Sequence, residues 1–155
     1  MYYSGTSEDV LGLLGEKIVK ELWPAFHNVN EEKAATYLDM KGIDGWLRKQ
    51  PVQVKTDKNI AIKGNFYKEH YKKTFGYSQD TSSVPWRISP FYAEYHIFVT
   101  DYKAYIVSVD AFARAAIGRP LSKIRPTSLG ILVPMSTVDI KEERDHPYSV
   151  AEIGT

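Results

Sequence analysis

Near the start of the chain, apolar residues recur at spacings of three and four. Leu11, Leu14, Ile18 and Leu22 form a stripe, which Val19 and Trp23 widen on one side. That period predicts a helix over residues 7–23. Ser7 or Thr6 can cap it, Glu8 and Asp9 suit the positive end of its dipole, and Pro24 ends it. The pattern then breaks into short runs. Residues 34–39, 43–48 and 51–56 read as three strands, with Pro51 tolerated only at the start of the last. Phe66, Tyr67, His70, Tyr71 and Phe75 fit no single period, so residues 64–77 read as helical or irregular. A polar loop follows over residues 79–85. Residues 95–100 and 104–109 alternate as a hairpin around residues 101–103. Asp110 then caps a short helix through Ala116, stopped by Gly118 and Pro120, and residues 130–133 give a last strand. Beyond Ile140 the chain is polar and reads as a mobile tail.

Helix, three strands, an insert at about 57–90, two strands, a helix and a polar tail after about 140 make one α/β domain over residues 1–155, with a mixed sheet. A chain of 155 residues can bury a core without staples. The absence of cysteine removes disulfides, thiolate zinc sites and thiol nucleophiles. No apolar run approaches the roughly 20 residues of a membrane helix. The first residues lack the basic start and apolar stretch of a signal peptide. The expectation is a soluble cytoplasmic protein.

Net charge is only +1, but its distribution is uneven. Residues 1–40 are net −4, residues 41–73 net +6, residues 111–125 net +4 and residues 126–155 net −3. Gathered on one face, the two basic zones would attract a polyanion; spread out, they are an ordinary solvated surface.

The second and third strands carry the candidate chemistry. If Lys49 and Gln50 form a two-residue turn, Asp44 stands opposite Lys55 and Trp46 opposite Gln53. Residues facing each other across an antiparallel pair share a face. Asp44, Trp46, Gln53 and Lys55 would line one face, and Ile43, Leu47, Val52 and Val54 the other, apolar one. A four-residue turn preserves this pairing; a three-residue turn breaks it. A carboxylate, an amide and an ammonium on one strand pair suit phosphodiester hydrolysis, which needs an activated water and a stabilised phosphorane. Magnesium takes oxygen ligands and few protein carboxylates. Asp44, the Gln53 side-chain oxygen and the Val54 carbonyl could supply them, while Lys55 orients water or offsets transition-state charge.

The segment Gly42-Ile43-Asp44-Gly45, followed nine residues after the aspartate by Gln53-Val54-Lys55, resembles the signature of the PD-(D/E)XK nuclease superfamily. Glutamine replaces the usual acid, a variant known in Mrr-like branches. The resemblance covers roughly residues 10–56, with weaker topological support to residue 109. It implies a restriction-endonuclease-like α-β-β-β-α-β core, Mg2+ (or Mn2+) as cofactor, DNA as partner and a homodimer or higher homo-oligomer. It also implies a glutamate on the first helix completing the site, a place that Glu16 matches. The implied catalytic set is Glu16, Asp44, Gln53 and Lys55. The implied metal ligands are Asp44, Gln53 and Val54, and Asp39 is a rival ligand.

Plainer readings stand beside these. Asp44-Gly45 is also a type I′ turn signal, although residues 46–56 would then form one overlong strand. Lys55 is ordinary on an edge strand. A non-catalytic DNA-binding or structural domain that keeps the nuclease fold fits the same motif. His27, His70, His96 and His146 have no zinc spacing, and His96 reads as a packed strand residue. Tyr67, Tyr71, Phe75 and Tyr77 interleave with Lys63, Lys68, Lys72 and Lys73. That pattern suits base stacking with phosphate contacts, or lysine stems laid over a core.

Overall fold

A computed structural model describes residues 7–29, 43–56, 64–74, 77–80, 93–119, 121–125 and 128–150. In chain order these form α1 (Ser7–Leu22), β1 (His27–Asn28), β2 (Gly45–Leu47), β3 (Gln50–Thr56), β4 (Asn65–Thr74), β5 (Tyr77–Asp80), β6 (Tyr95–Thr100), β7 (Lys103–Ser108), α2 (Val109–Ala116), β8 (Leu121–Arg125), β9 (Ser128–Pro134) and β10 (Ile140–Asp145). The strand expected at 34–39, the possible ligand Asp39 and most of the loop at 79–85 lie outside the described residues.

The fold is α/β with a mixed central sheet. Six strands run in the order β1-β2-β3-β6-β7-β10, and only β3 and β6 are parallel. A second, antiparallel sheet has the order β5-β4-β9-β8. The two central strands β6 and β7 are buried on both faces, as a layered core requires. Ile97, Val99, Ala104 and Ile106 pack towards α1, where Ile18, Val19 and Trp23 meet Leu47 and Val52. Phe98, Tyr105 and Val107 turn the other way, onto Phe66, Phe112 and Val133. Phe66 stacks on Phe98 at 4.3 Å between ring centroids, which fastens the second sheet to the first.

The α1 stripe is the one the sequence predicts, and Lys20 closes the helix by donating to the carbonyls of Pro24 and Phe26. The cap of α2 is Ser108, whose hydroxyl accepts from the Ala111 amide at 3.0 Å; Asp110 sits in the first turn instead.

Two expectations are corrected. Residues 65–74 and 77–80 are strands of the second sheet, not a helical or irregular insert. A register shift between Glu69 and Tyr71 interrupts the ladder, which erases the period-two signal a sequence reading needs. The polar segment after Ile140 is an edge strand, not a mobile tail. It has no apolar alternation because charge pairs hold it. Arg48 makes a two-armed pair with Glu142 at 2.6 and 3.2 Å, and Lys103 meets Asp145 at 2.9 Å. Arg144 lies over the Trp23 ring at 4.8 Å. Beyond the strand, His146 is buried, accepting at Nδ1 from the Tyr148 amide and donating from Nε2 to the Thr100 carbonyl. Val150 is fully buried, and its amide donates to Asp101.

The Arg48–Glu142 pair gives a pH prediction. The Arg48 hydrogen bond and charge hold the Glu142 carboxyl below the usual glutamate range. A depressed folded-state pKa stabilises the fold above the unfolded-state value, and that gain is lost as pH falls through the folded-state value. Glu142→Gln is therefore expected to melt roughly 2–3 °C below the parent at pH 7, the gap closing in acid. A gap that is unchanged down to acid pH in paired melts would exclude this linkage.

Candidate active site at the end of the third strand

The hairpin that holds the candidate residues turns one residue earlier than expected. Arg48 and Lys49 occupy the turn with φ of 53° and 66°. Leu47 then pairs with Gln50, Trp46 with Pro51 and Gly45 with Val52, so Asp44 is not opposite Lys55. Two left-handed non-glycine residues cost about 1–2 kcal/mol each. The grip of Glu142 on Arg48 helps offset that cost. Nothing in Arg-Lys announces such a turn, whereas Asp44-Gly45 does, and yet Gly45 lies within β2.

Gly45 is glycine for another reason. A Cβ there would lie 2.4 Å from the His27 carbonyl oxygen and 2.5 Å from the Phe26 ring. Gly45→Ala is expected to destabilise the fold by roughly 3 kcal/mol, through forced displacement of backbone and ring. Unchanged chemical denaturation would show that this contact yields freely.

Next to Gly45 the ladder becomes irregular. The Val52 carbonyl accepts from Asp44 N–H at 2.9 Å although Val52 is the ladder partner of Gly45. The Asp44 carbonyl instead accepts from Val29 N–H on the opposite side, at 2.9 Å. Two residues thus oppose one, the pattern of a β-bulge, which re-aims side chains. Ile43 consequently leaves the apolar face it was expected to share with Leu47, Val52 and Val54, and packs with Val29 and Trp46. Leu47, Val52 and Val54 keep theirs. Asp44 no longer follows the alternation that would have put it on the face of Gln53 and Lys55. Its Oδ2 accepts from Val54 N–H at 2.8 Å, at the edge of β3.

Val54 is therefore the centre of the arrangement. In an extended strand the N–H and C=O of one residue project to the same edge. The Val54 carbonyl thus faces the Asp44 side, past the last ladder pair of β2 and β3. Gln53 and Lys55 flank Val54 in sequence and are half-buried. Thr56 faces α1, because a Cβ on Gly15 would strike its hydroxyl, so alternation sends Gln53 and Lys55 to the other face. There they neighbour His96 and Phe98 of β6 in register. His96 is buried against the Phe98 and Phe112 rings, as a packed strand residue should be.

Glu16 lies on the α1 side. It is buried, and its Oε1 accepts from Asn28 Nδ2 at 2.9 Å. Asn28 pairs with Gly45 in register, so this carboxylate is one strand away from the bulge. Lys17, Lys20 and Phe26 share with Glu16 and Asn28 a cleft of about 460 Å³. Asn28 is a site neighbour that the sequence does not flag. It is a lone amide outside any motif, and only the short β1 pairing brings it to Glu16.

The donor set can be weighed against a divalent cation. Asp44 offers a carboxylate, and the Val54 carbonyl shares its edge. Gln53 adds an amide oxygen from the next residue. All are hard oxygen donors, and magnesium takes one or two carboxylates with water completing the shell, so the residues fit. Among the described residues no three His, Cys, Asp or Glu side chains come together. Such an ion would rest on Asp44 and neutral oxygens. Comparisons of the chain with protein-family models, with curated proteins and with solved structures give no match.

Proposed function

We propose that this chain is a metal-dependent DNA endonuclease related to the PD-(D/E)XK enzymes, acting at Asp44, Gln53, Val54 and Lys55. The observation that carries the reading is the bulge at Asp44, which puts a carboxylate 2.8 Å from the Val54 amide of the Gln53-Val54-Lys55 run. Bulges collect next to active sites because they turn a side chain out of the sheet's alternation. The chain order also supports it. A helix is followed by three successive antiparallel strands, β1 to β3, and a later strand, β6, lies parallel beside β3. One departure from the family core is that the described residues between β3 and β6 form strands instead of a helix.

In this reading Asp44, the Val54 carbonyl and the neutral Gln53 amide oxygen would hold Mg2+ or Mn2+. The bound ion supplies acidification of water and charge neutralisation at phosphorus. Lys55 donates to the attacking water or to a non-bridging phosphate oxygen, where negative charge grows in the transition state. The Val54 amide, donating to Oδ2, holds the Asp44 carboxylate at the edge of β3. Glu16, buried on the α1 side and tied to Asn28, positions β1 against the bulge and could add a carboxylate to the site.

Paired cuts in a duplex require two active sites, so the reading includes a homodimer or larger homo-oligomer. No described helix is long and apolar enough to cross a membrane. The test is incubation of supercoiled plasmid and branched DNA with the protein and Mg2+ or Mn2+. Metal-dependent cleavage that a chelator stops is expected. DNA retention without cleavage under any metal would instead favour a binding module that keeps the fold.

A further inference from the structure

Residues 146–150 run across the β6–β7 turn as a strap. Two backbone bonds fix it there, from His146 N–H to the Tyr102 carbonyl and from Tyr102 N–H to the Tyr148 carbonyl, both 2.9 Å. Asp101, in the same turn, accepts from the Val150 amide and the Ser149 hydroxyl. Val150 is fully buried in the core cluster that includes Ile18, Val19 and Trp23 of the α1 layer. The Tyr148 hydroxyl donates to Glu21 of α1 at 3.2 Å. The strap therefore ties α1 to the end of the central hairpin.

His146 holds this strap from inside and is 6% exposed. The Tyr148 amide can only donate, and it meets Nδ1 at 3.1 Å, so Nδ1 carries a lone pair. The ring proton is then on Nε2, which faces two acceptors, the carbonyls of Thr100 at 2.7 Å and Lys103 at 3.2 Å. The site thus specifies the neutral ring. A second proton on Nδ1 would point an N–H at the Tyr148 N–H and leave a charged ring out of water. The groups around the ring do not offset this. Asp101 on the turn is engaged by Val150 and Ser149, and Lys103 of β7 pairs with Asp145 and Glu143 of β10. Glu21 of α1 accepts from the Tyr148 hydroxyl, and the Tyr148 ring stacks on His146 at 6.0 Å. Among the described residues, neither ring nitrogen meets a carboxylate.

We propose that residues 146–150 are a proton-released strap with His146 as its latch. The neutral ring holds the strap on the β6–β7 turn; protonation frees it and uncovers the apolar socket of Val150 beside α1. This does not rest on the nuclease reading. The sign follows from linkage. The released strap takes up a proton that the docked strap has no place for, so acid favours release. A solvated imidazole titrates near pH ~6.5, so one proton per opening makes release about tenfold more frequent at pH ~5.5 than at pH ~7.5.

The test is amide hydrogen exchange on the unaltered chain at those two pH values, corrected for the intrinsic pH dependence of exchange. NMR follows the charge of the His146 ring on the same samples. Protection of the Tyr102, Tyr148 and Val150 amides is expected to fall about tenfold in acid, while the β6 amides keep theirs. His146→Asn places an acceptor near the Nδ1 position and cannot titrate, so its corrected strap exchange is expected to be the same at both pH values. Strap amides in the unaltered chain whose protection does not change with pH would overturn the proposal, whether or not the ring charges. An equal loss throughout β6 would overturn it too, by making the acid effect global unfolding. Both readings come from the unaltered chain, so a variant that fails to fold does not decide the outcome.

Discussion

Asp44→Asn is expected to lower Mg2+-dependent cleavage by roughly a thousandfold, about 4 kcal/mol in the barrier, while the protein stays folded. The choice of asparagine matters. In the bulge, Oδ2 of Asp44 accepts from Val54 N–H at 2.8 Å, and an asparagine carbonyl can accept the same bond. The edge of β3 is thus preserved while the negative charge that would hold the ion is lost. Asp44→Ala would confound the two, since it leaves the Val54 amide without this acceptor. The measurement is plasmid cleavage against metal concentration, paired with thermal melting. A melting curve like the parent's with full cleavage would remove Asp44 from the chemistry and leave it as a strand cap.

Lys55→Ala is expected to separate turnover from binding. Its side chain leaves β3 on the face away from α1, the face that Gln53 shares by alternation. There it would meet a single phosphate. One phosphate contact among many carries little affinity, and its loss flattens the salt slope by about 0.9. Charge stabilisation at the reacting phosphate carries much of the rate, so single-turnover cleavage should fall roughly 10²–10³-fold. Binding by a fluorescent duplex and cleavage under saturation are measured on the same preparation. Equal losses in both would make Lys55 a docking residue, and no loss in either would make it a bystander.

Much of the frame was legible because it follows simple periods. The α1 stripe, the β6–β7 hairpin and the glycine stop after α2 each rest on local rules, and each is present. Residues 43–56 were legible as a hairpin but not in register. The turn depends on Arg48 adopting positive φ under the grip of Glu142, 94 residues away, which no local pattern contains. The bulge at Asp44 was equally hidden. Its cause is tertiary: the Phe26 ring and the His27 carbonyl press against Gly45, and β1 on the other side takes the Asp44 carbonyl. The edge strand β10 was missed because its alternation is of exposed and half-exposed charges, with no apolar face. Of the candidate site, the residue types were readable and their spatial relation was not. Alternation was the tool for placing them, and the bulge is where alternation stops.

Residues 140–150 also have a bearing on how the fold assembles. Residues 140–150 complete the central sheet against β7, cover Trp23 at the end of the first helix, and bond the turn between β6 and β7. While the ribosome still holds this segment, Trp23 lacks its lid and β7 has an open edge. The central sheet can therefore close only after residues 140–150 have emerged. Closing the sheet thus waits on contacts of high sequence separation, which slow folding. During synthesis the exposed edge of β7 is the surface that a chaperone would need to shield.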